Sequence, residues 1–373
     1  MAIKISSNFD AGAISVIRAE RADDIELHIP KDSAADFSQW FYFRVQGARG
    51  QACSIRFGNA GQSTYPRGWE NYRAVASYDR ERWFRVPTAF DGQVMTVRHA
   101  PEADSVYYAY FEPYSWERHL GLLARAGRSP HVRSEHLADT VDGRDLNVLQ
   151  IGNPAAGKKV WVIARQHPGE TMAEWFVEGM LDALLDDADP VAGALLRQAV
   201  FYVVPNMNPD GSVRGNLRTN AAGANLNREW MTPSLEYSPE VFAVKRKMHQ
   251  TGCDLFLDVH GDEALPYVFA AGSEMLETFD ARQAGLQQRF IDRYKAANPD
   301  FQDRVGYPSG KYNESLLKLA SKYVGHTFGC VSLTLELPFK DNANLPDAEY
   351  GWSAARSARL GRTVLLPIQA CIS

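Results

Sequence analysis

Cysteine and long apolar runs are both scarce in this chain, and each scarcity excludes a class of protein. The 373 residues include four scattered cysteines, Cys53, Cys253, Cys330 and Cys371, with no CxxC pair among them. This spacing favours buried, reduced thiols over disulfides or a cysteine metal site. No stretch approaches the roughly 20 apolar residues that a membrane-spanning helix needs, so we expect no membrane partner.

Dense positive charge is missing as well. The formal net charge is −5, and no block of lysine and arginine stands out, which argues against a nucleic-acid-binding protein. Residues 1–8 lack the apolar stretch of a signal peptide, so we expect a cytoplasmic location if this N-terminus is the native one. The sequence carries no recognisable pro-segment and gives no indication of the oligomeric state.

The pattern of short apolar runs divides the chain near residue 115. Before that point, aromatic and β-branched runs such as 40–45, 52–57 and 106–111 alternate with turn residues. This pattern predicts a small all-β sandwich domain over residues 1–115. Afterwards, apolar runs alternate with helical spacing, which predicts an α/β domain over residues 116–373 with a largely parallel or mixed sheet flanked by helices.

Four apolar runs in the second domain have the composition of strands buried on both faces. They are 160–164, 200–204, 255–259 and 331–335. Each run leads directly into polar residues that could bind a ligand or take part in a reaction. Ligands of open α/β sheets bind beyond the carboxyl ends of the strands, so we expect these four strand ends to form one site.

Three of the polar residues have the composition of a catalytic zinc site. His167 and Glu170 are separated by Pro168 and Gly169, which favour a tight turn over the helical HExxH arrangement. His260, after another strand, supplies a third candidate ligand. Two imidazoles and one carboxylate leave a fourth position open for water. Each residue alone also fits a hydrogen-bonded core position, but their joint placement favours a metal site.

Glu336 follows the last of the four apolar runs. It lies between Leu335 and Leu337, where a carboxylate is costly unless it is paired or functional. Beside a zinc-bound water, it would take the proton of that water and pass it to a leaving amine. A salt-bridged glutamate at a strand end is the alternative interpretation.

The segment 214–230 contains candidate residues for binding a substrate carboxylate. It contains Arg214, Arg218 and Arg228 in a polar, glycine-containing loop. Arginine is suited to bidentate recognition of a carboxylate, and a terminal carboxylate is what distinguishes the substrate of an exopeptidase. Arg214 fits a solvated surface position better than the other two.

Taken in order, these motifs resemble the zinc metallocarboxypeptidase superfamily of pancreatic carboxypeptidase A. More closely, they resemble its cytosolic carboxypeptidase subgroup, whose eukaryotic members trim glutamates from tubulin. The matching segments are 166–170, 206–211, 226–230, 258–261 and 334–336. Segments 40–45 and 112–115 resemble the β-sandwich that precedes the catalytic domain in this subgroup, so the resemblance covers most of the chain.

The resemblance implies a role for each residue of the site. The implied ligands of one Zn²⁺ per chain are His167, Glu170 and His260. Glu336 would be the general base and acid. Asn227 and Arg228 would bind the C-terminal carboxylate of the substrate, and Arg218 would polarise the scissile carbonyl and stabilise the oxyanion.

Three more residues are candidates for contacts with the substrate. Tyr312 is the candidate for the tyrosine that closes over substrate in carboxypeptidase A. Lys311 and Lys318 are candidates for a pocket that prefers an acidic C-terminal residue, with solvated surface charges as the alternative. The predicted function is hydrolysis of the C-terminal peptide bond of peptides or flexible protein tails.

Two other functions stay open at this level. Relatives such as aspartoacylase and succinylglutamate desuccinylase use the same zinc set on small N-acyl amino acids. A non-catalytic peptide-binding protein on this scaffold is the second alternative. The aromatic N-terminal domain and the Asn227–Arg228 pair favour a peptidase over the first, and the intact set of catalytic residues argues against the second.

Overall fold

A computed structural model of the chain describes residues 3–308, 310 and 313–372. The described residues 3–110 form ten strands. They are β1 (Lys4–Ser6), β2 (Ser15–Arg18), β3 (Ile25–His28), β4 (Tyr42–Gln46), β5 (Cys53–Phe57), β6 (Val75–Ser77), β7 (Phe84–Arg85), β8 (Thr88–Phe90), β9 (Met95–His99) and β10 (Ser105–Ala109). Two short 3₁₀ helices, Ala60–Gln62 and Pro66–Trp69, lie between β5 and β6.

These strands form two five-stranded sheets, in the orders β1-β4-β10-β6-β7 and β2-β3-β5-β9-β8. Aromatic side chains join the two sheets. The ring of Phe57 in β5 lies 4.7 Å from that of Phe41 and 6.1 Å from that of Phe43 in β4. The predicted all-β domain with a sandwich core is therefore confirmed.

The second part of the chain is built on one seven-stranded mixed sheet. Its strands are β11 (Val132–Asp139), β12 (Asp145–Gly152), β13 (Lys158–Ala164), β14 (Ala199–Val204), β15 (Leu255–Asp262), β16 (Phe269–Ala271) and β17 (Val331–Pro338). The order is β11-β12-β14-β13-β15-β17-β16. The four predicted apolar runs are the four central strands β14, β13, β15 and β17, which run parallel to one another.

Helices cover both faces of this sheet. They are α1 (Trp116–Ala126), α2 (Met172–Leu184), α3 (Pro190–Gln198), α4 (Pro209–Arg214), α5 (Pro239–Thr251), α6 (Ala281–Ala297), α7 (Ala320–Phe328), α8 (Ala354–Thr363) and α9 (Leu365–Ile372), with 3₁₀ turns at Leu226–Arg228 and Glu314–Lys318. Val160 and Val162 of β13 pack in a core with α2, α6, α8 and α9, whereas Trp161 and Ile163 pack with α5 and α7. Because both faces are covered, the strand is apolar at every position from Val160 to Ala164.

Two of the central strands extend beyond their predicted ends. The runs 255–259 and 331–335 continue to Asp262 and Pro338, because ladder pairing persists after the side chains become polar. Within this extension, His260 lies directly opposite Glu336 in the parallel register. Two candidate site residues are thus held by strand backbone and not by loops.

Arg85 joins the β-domain to the second domain. This arginine of β7 is buried, and its Nη2 donates to the main-chain oxygens of Phe339 (2.8 Å) and Trp352 (2.9 Å). Glu112, at the end of the β-domain, accepts from the main-chain N–H of Ala354 at 3.0 Å. Across the described residues, no helix has both the length and the apolar character needed to cross a membrane.

Glu240, in the first turn of α5, is a buried carboxyl group whose ionisation should affect the stability of the fold. It is fully buried, and Asn220 Nδ2 donates to its two carboxylate oxygens at 3.1 and 3.3 Å. Burial raises the pKa of Glu240 to about 7. Because the pKa in the folded state lies above the ordinary value of 4.5, this group favours folding at acid pH, and that contribution is lost as pH rises from about 4.5 to 7.

We therefore expect Glu240→Gln to stabilise the protein at pH 8, by about 2 kcal/mol, and to change stability little at pH 5. Calorimetric melting temperatures at the two pH values measure the difference. Glu236→Gln, at an exposed position just before the same helix, is the matched control. The same shift at pH 5 and pH 8 would show that Glu240 does not titrate between these two pH values.

Candidate active site

A strained turn after β13 carries two of the three candidate metal ligands. Arg165 opens the turn with a φ of 58°, in the left-handed region. Its buried guanidinium donates to Glu174 Oε2 (2.7 Å), to the main-chain oxygen of Tyr114 (2.9 Å) and to that of Pro168 (2.9 Å). These contacts fix a conformation that would otherwise cost free energy. His167 is thereby directed towards the sheet edge where His260 lies, near the end of β15.

His167, Glu170 and His260 come together at this edge, and all three are buried. Glu170 Oε1 lies 2.7 Å from His167 Nδ1, and Glu170 Oε2 lies 2.8 Å from His260 Nδ1. The two Nδ1 atoms are 3.2 Å apart. One ligand atom from each residue is therefore available to the same small volume.

The neighbours of the two imidazoles determine which nitrogens face this volume. His260 Nε2 lies 2.9 Å from Asp258 Oδ2, and His167 Nε2 lies 3.1 Å from Asn225 Oδ1. Asp258 lies closer to His260 Nε2 than the amide nitrogens of Gln166 and Asn227, which are 3.4 Å away. The nearest outer partner of each ring is thus an acceptor, so each Nε2 holds the proton and each Nδ1 presents a lone pair. Two lone pairs and a carboxylate then face one another, an arrangement that a cation stabilises. The donor set of two nitrogens and one carboxylate fits zinc.

The charges around the two histidines support this fit. Burial, with the nearby Arg218, lowers the pKa of His167 to about 3, so its imidazole is neutral near pH 7. For His260, burial acts to lower the pKa, but Asp258 and Glu170 outweigh it and raise the pKa above its ordinary value. The two carboxylates therefore favour positive charge at His260. A cation held by Nδ1 would satisfy the same excess of negative charge.

Glu336 lies beside the three candidate ligands. Its Oε1 accepts from the hydroxyl of Tyr307 at 2.9 Å, while its buried Oε2 has no hydrogen-bond partner in the described part of the protein. Burial, with Glu170 and Asp262, raises the pKa of Glu336 to about 8. A carboxyl group with such a pKa can accept a proton and release it again near neutral pH.

A cavity of about 870 Å³ opens over these groups. Its lining includes the three candidate ligands and Glu336, together with Arg218, Asn227 and Arg228. Arg228 Nη1 donates to the main-chain oxygen of Asn227 at 2.7 Å, and Asn227 Oδ1 accepts from the N–H of Ala320 at 2.8 Å. The cavity therefore combines one candidate cation site with two arginines, which suits a substrate with a negatively charged end.

Of the three remaining candidates for substrate contacts, only Lys318 lies within the described residues, and it does not line the described cavity. Lys318 is exposed at the end of its 3₁₀ turn, and its main-chain oxygen accepts from Trp230 N–H at 3.2 Å. Lys311 and Tyr312 lie outside the described residues. Two residues that sequence reasoning missed, Tyr307 and Lys322, do line the cavity.

Comparison with known proteins agrees with this geometry. The sequence model of the family described as zinc carboxypeptidase matches residues 122–354. This chain belongs to the zinc carboxypeptidase family. The model described as the cytosolic carboxypeptidase N-terminal domain matches residues 5–111, which confirms the predicted subgroup. Membership makes the chain a peptide-bond hydrolase, and zinc is the metal of its family.

Solved structures with the same fold cover almost the whole chain. A metallo-carboxypeptidase from Burkholderia cenocepacia is 57% identical with a TM-score of 0.98, covering 100% of this chain and 99% of that one. A metallo-carboxypeptidase from Pseudomonas aeruginosa, solved with (2-guanidinoethylmercapto)succinic acid, is 47% identical with a TM-score of 0.95 and 98% coverage of both chains.

Two curated relatives differ in how much of their length is matched. An uncharacterised protein of Zymomonas mobilis is 46% identical over 98% of this chain and 95% of its own length. Human cytosolic carboxypeptidase 1 is 27% identical over 74% of this chain, and the match spans 27% of that protein. The match with this zinc carboxypeptidase therefore spans about a quarter of the length of the human relative.

The pairing of Asp258 with His260 leads to a prediction about metal affinity. We expect Asp258→Asn to weaken zinc binding about 10- to 100-fold, because the amide no longer fixes the Nε2–H tautomer of His260. His260→Ala should abolish stoichiometric binding. Competition titration with a zinc chelator measures both. His249→Ala, at an exposed position, is the control. Unchanged affinity in Asp258→Asn would exclude a role for Asp258 in orienting a ligand.

Proposed function

We propose that this chain is a zinc-dependent metallocarboxypeptidase that removes the C-terminal residue from peptides or flexible protein tails. One zinc ion per chain would be held by His167, Glu170 and His260. The observation that carries the proposal is one cleft that combines these converging ligand atoms, two arginines and the Glu336 Oε2 atom, which has no hydrogen-bond partner among the described residues. The names of the cytosolic carboxypeptidase relatives support a cytoplasmic location.

Each residue of the cleft has a distinct proposed role. Zinc, when bound, supplies a Lewis acid that polarises a carbonyl and lowers the pKa of a coordinated water. Glu336 accepts the proton of the attacking water and delivers it to the leaving amine. Burial raises its pKa above the ordinary value of 4.5, which favours retention of the proton on the carboxyl group between the two steps.

The two arginines face the negative charges of the reaction. Asn227 and Arg228 are proposed to bind the terminal carboxylate, with one Arg228 N–H already directed by the main-chain oxygen of Asn227. Arg218 is proposed to polarise the scissile carbonyl and to stabilise the oxyanion. No protein acceptor within the described residues engages the Arg218 guanidinium, so its N–H groups are available to a substrate oxygen.

An acidic preference at the C-terminal residue is the finer part of the proposal. Lys322 lies in the wall of the cavity, and its Nζ donates to the main-chain oxygen of Gly272. Burial lowers the pKa of Lys322, although the nearby Glu274 opposes that shift. A lysine held in a cavity wall is better placed to bind a glutamate side chain than the exposed Lys318.

The acidic preference predicts that C-terminal Glu is released faster than Phe or Lys from otherwise matched peptides. We expect Lys322→Met to reduce the ratio of kcat/KM for Glu over Phe by about tenfold, since a charged contact is lost. Lys318→Met is the matched control at an exposed position. Equal release of Glu and Phe by the unaltered protein would remove the acidic preference, while leaving the carboxypeptidase activity in place.

The proposed role of Glu336 is tested by its amide. We expect Glu336→Gln to lower kcat by about 10³-fold, because the amide cannot accept the proton, while zinc content and melting temperature stay unchanged. Digestion of a peptide library read by mass spectrometry, with metal analysis, provides both readouts. Glu314→Gln, at an exposed position, is the control.

Two outcomes of that assay would contradict the proposal. Turnover in Glu336→Gln close to that of the unaltered protein would remove Glu336 from the reaction. If the unaltered, zinc-loaded protein cleaves N-acetyl-aspartate but no peptide, an amidohydrolase of small N-acyl amino acids replaces the carboxypeptidase.

A further inference from the structure

The β-domain contributes directly to the wall of the active-site cleft. Its segment 30–37, between β3 and β4, lies against the segment 214–223 that carries Arg218. Ser33 N–H donates to Asn216 Oδ1 at 2.9 Å. Gly223, with a φ of +85°, approaches Ala34 so closely that an added Cβ would lie 2.4 Å from the oxygen of Ala34. The two segments are therefore fitted to each other at the level of the main chain.

Asp32 is the centre of this contact. Its carboxylate accepts from the main-chain N–H groups of Leu217 (2.6 Å), Arg218 (2.9 Å) and Thr219 (2.9 Å), and from Thr219 Oγ1 at 2.9 Å. The side chain is buried. Oδ2 accepts three of these hydrogen bonds and Oδ1 accepts the fourth, so the carboxylate fixes the backbone on both sides of Arg218.

The clamped segment is also joined to the turn that carries the metal ligands. The main-chain oxygen of Leu217 accepts from Gly169 N–H at 2.9 Å, and Gly169 lies between His167 and Glu170. An added Cβ at Gly169 would lie 3.0 Å from that oxygen, so the approach is tight. Asp32 therefore holds a loop whose position relative to the candidate metal site is fixed by a direct hydrogen bond.

Aromatic rings of the β-domain support the Arg218 side chain. The Cζ of Arg218 lies 5.8 Å from the ring centroid of Phe37 and 5.4 Å from that of Tyr65. These cation–π contacts hold a guanidinium that has no hydrogen bond to the described protein, and they leave its N–H groups free. Tyr65 also lines the cavity itself.

We infer that the β-domain completes the catalytic site, with Asp32, Phe37 and Tyr65 acting as positioning residues for Arg218. The carboxylate fixes the backbone, and the rings orient the guanidinium towards the cleft. The site is then assembled from both domains, and the β-domain has a role in the reaction beyond narrowing access. The part of this inference that concerns catalysis rests on the proposed function of Arg218.

Kinetics of Asp32→Asn test the catalytic part. The amide replaces an acceptor oxygen by a donor facing main-chain N–H groups, so Arg218 should lose its alignment with the oxyanion. We expect kcat to fall about tenfold or more, with KM changed less than about threefold. Asp36→Asn, whose carboxylate is exposed and paired with Lys31, is the matched control and should behave as the unaltered protein.

A double-mutant cycle with Arg218→Ala distinguishes an effect of Asp32 on the position of Arg218 from a general loss of structure. If Asp32 acts through Arg218, adding Asp32→Asn to Arg218→Ala should change kcat less than about twofold further. Independent, multiplying losses in the double variant would overturn the inference. So would a fall in melting temperature or zinc content that accounts for the whole loss of activity.

Hydrogen exchange decides the structural part without any need for activity. We expect amide exchange in the peptide 213–221 to be at least about tenfold faster in Asp32→Asn, with exchange elsewhere unchanged. Unchanged exchange in this peptide would contradict the clamp, even if the unaltered protein cleaves no peptide and the proposed function itself fails. If Asp32→Asn does not fold, Tyr65→Leu is the second variant, because Tyr65 is only half-buried. A kcat unchanged in folded Tyr65→Leu would also overturn the inference.

Discussion

The structure depends on one electrostatic constraint, the meeting of two imidazole lone pairs and a carboxylate in a buried volume. His167 Nδ1 lies 2.7 Å from Glu170 Oε1, His260 Nδ1 lies 2.8 Å from Glu170 Oε2, and the two Nδ1 atoms are 3.2 Å apart. With both protons on Nε2, none of these three contacts contains a hydrogen atom. In a low-dielectric interior, such a cluster is unfavourable without positive charge. Asp258 strengthens the need for a cation, because it holds the proton of His260 on Nε2 and leaves Nδ1 without one.

The surrounding polar network keeps this arrangement rigid. Gln166 Nε2 donates to Asp258, and Gln166 Oε1 accepts from Trp230 Nε1 at 2.9 Å, so the carboxylate behind His260 is itself held in place. On the other side, the buried Arg165–Glu174 pair fixes the turn before His167. These groups are far from the surface, and each is satisfied by another part of the same network. The network therefore holds the ligand atoms in converging positions, which favours tight and selective metal binding.

Much of this architecture was predictable because strands and their functional ends follow from local sequence patterns. Continuous apolar runs identify strands covered on both faces, and polar residues at their ends identify the functional edge of the sheet. The extension of β15 and β17 was not predictable, since ladder pairing of His260 with Glu336 depends on the neighbouring strand and not on side-chain polarity. Arg165 in a left-handed turn likewise gives no signal in the sequence.

Contacts between distant segments were the least accessible to sequence reasoning. Lys322 of α7 and Tyr307 line the cavity because of how distant segments pack together. The spacing of residues in the sequence does not show that Lys322, and not Lys318, faces the cavity. Asp32 lies 185 positions from Leu217, and nothing near it in the sequence indicates an acceptor for a catalytic loop. One polar residue did carry a usable signal, since Asp258 interrupts an apolar strand two positions before His260.

The most direct test is a crystal structure of the zinc-loaded protein with anomalous scattering recorded at the zinc absorption edge. We expect one peak, about 2.0–2.1 Å from the Nδ1 atoms of His167 and His260 and within bonding distance of the Glu170 carboxylate. A peak on the Nε2 side of either ring would contradict the assignment of these ligand atoms. Saturating zinc with no peak at all, and His260 still paired with its two carboxylates, would contradict the account as a whole.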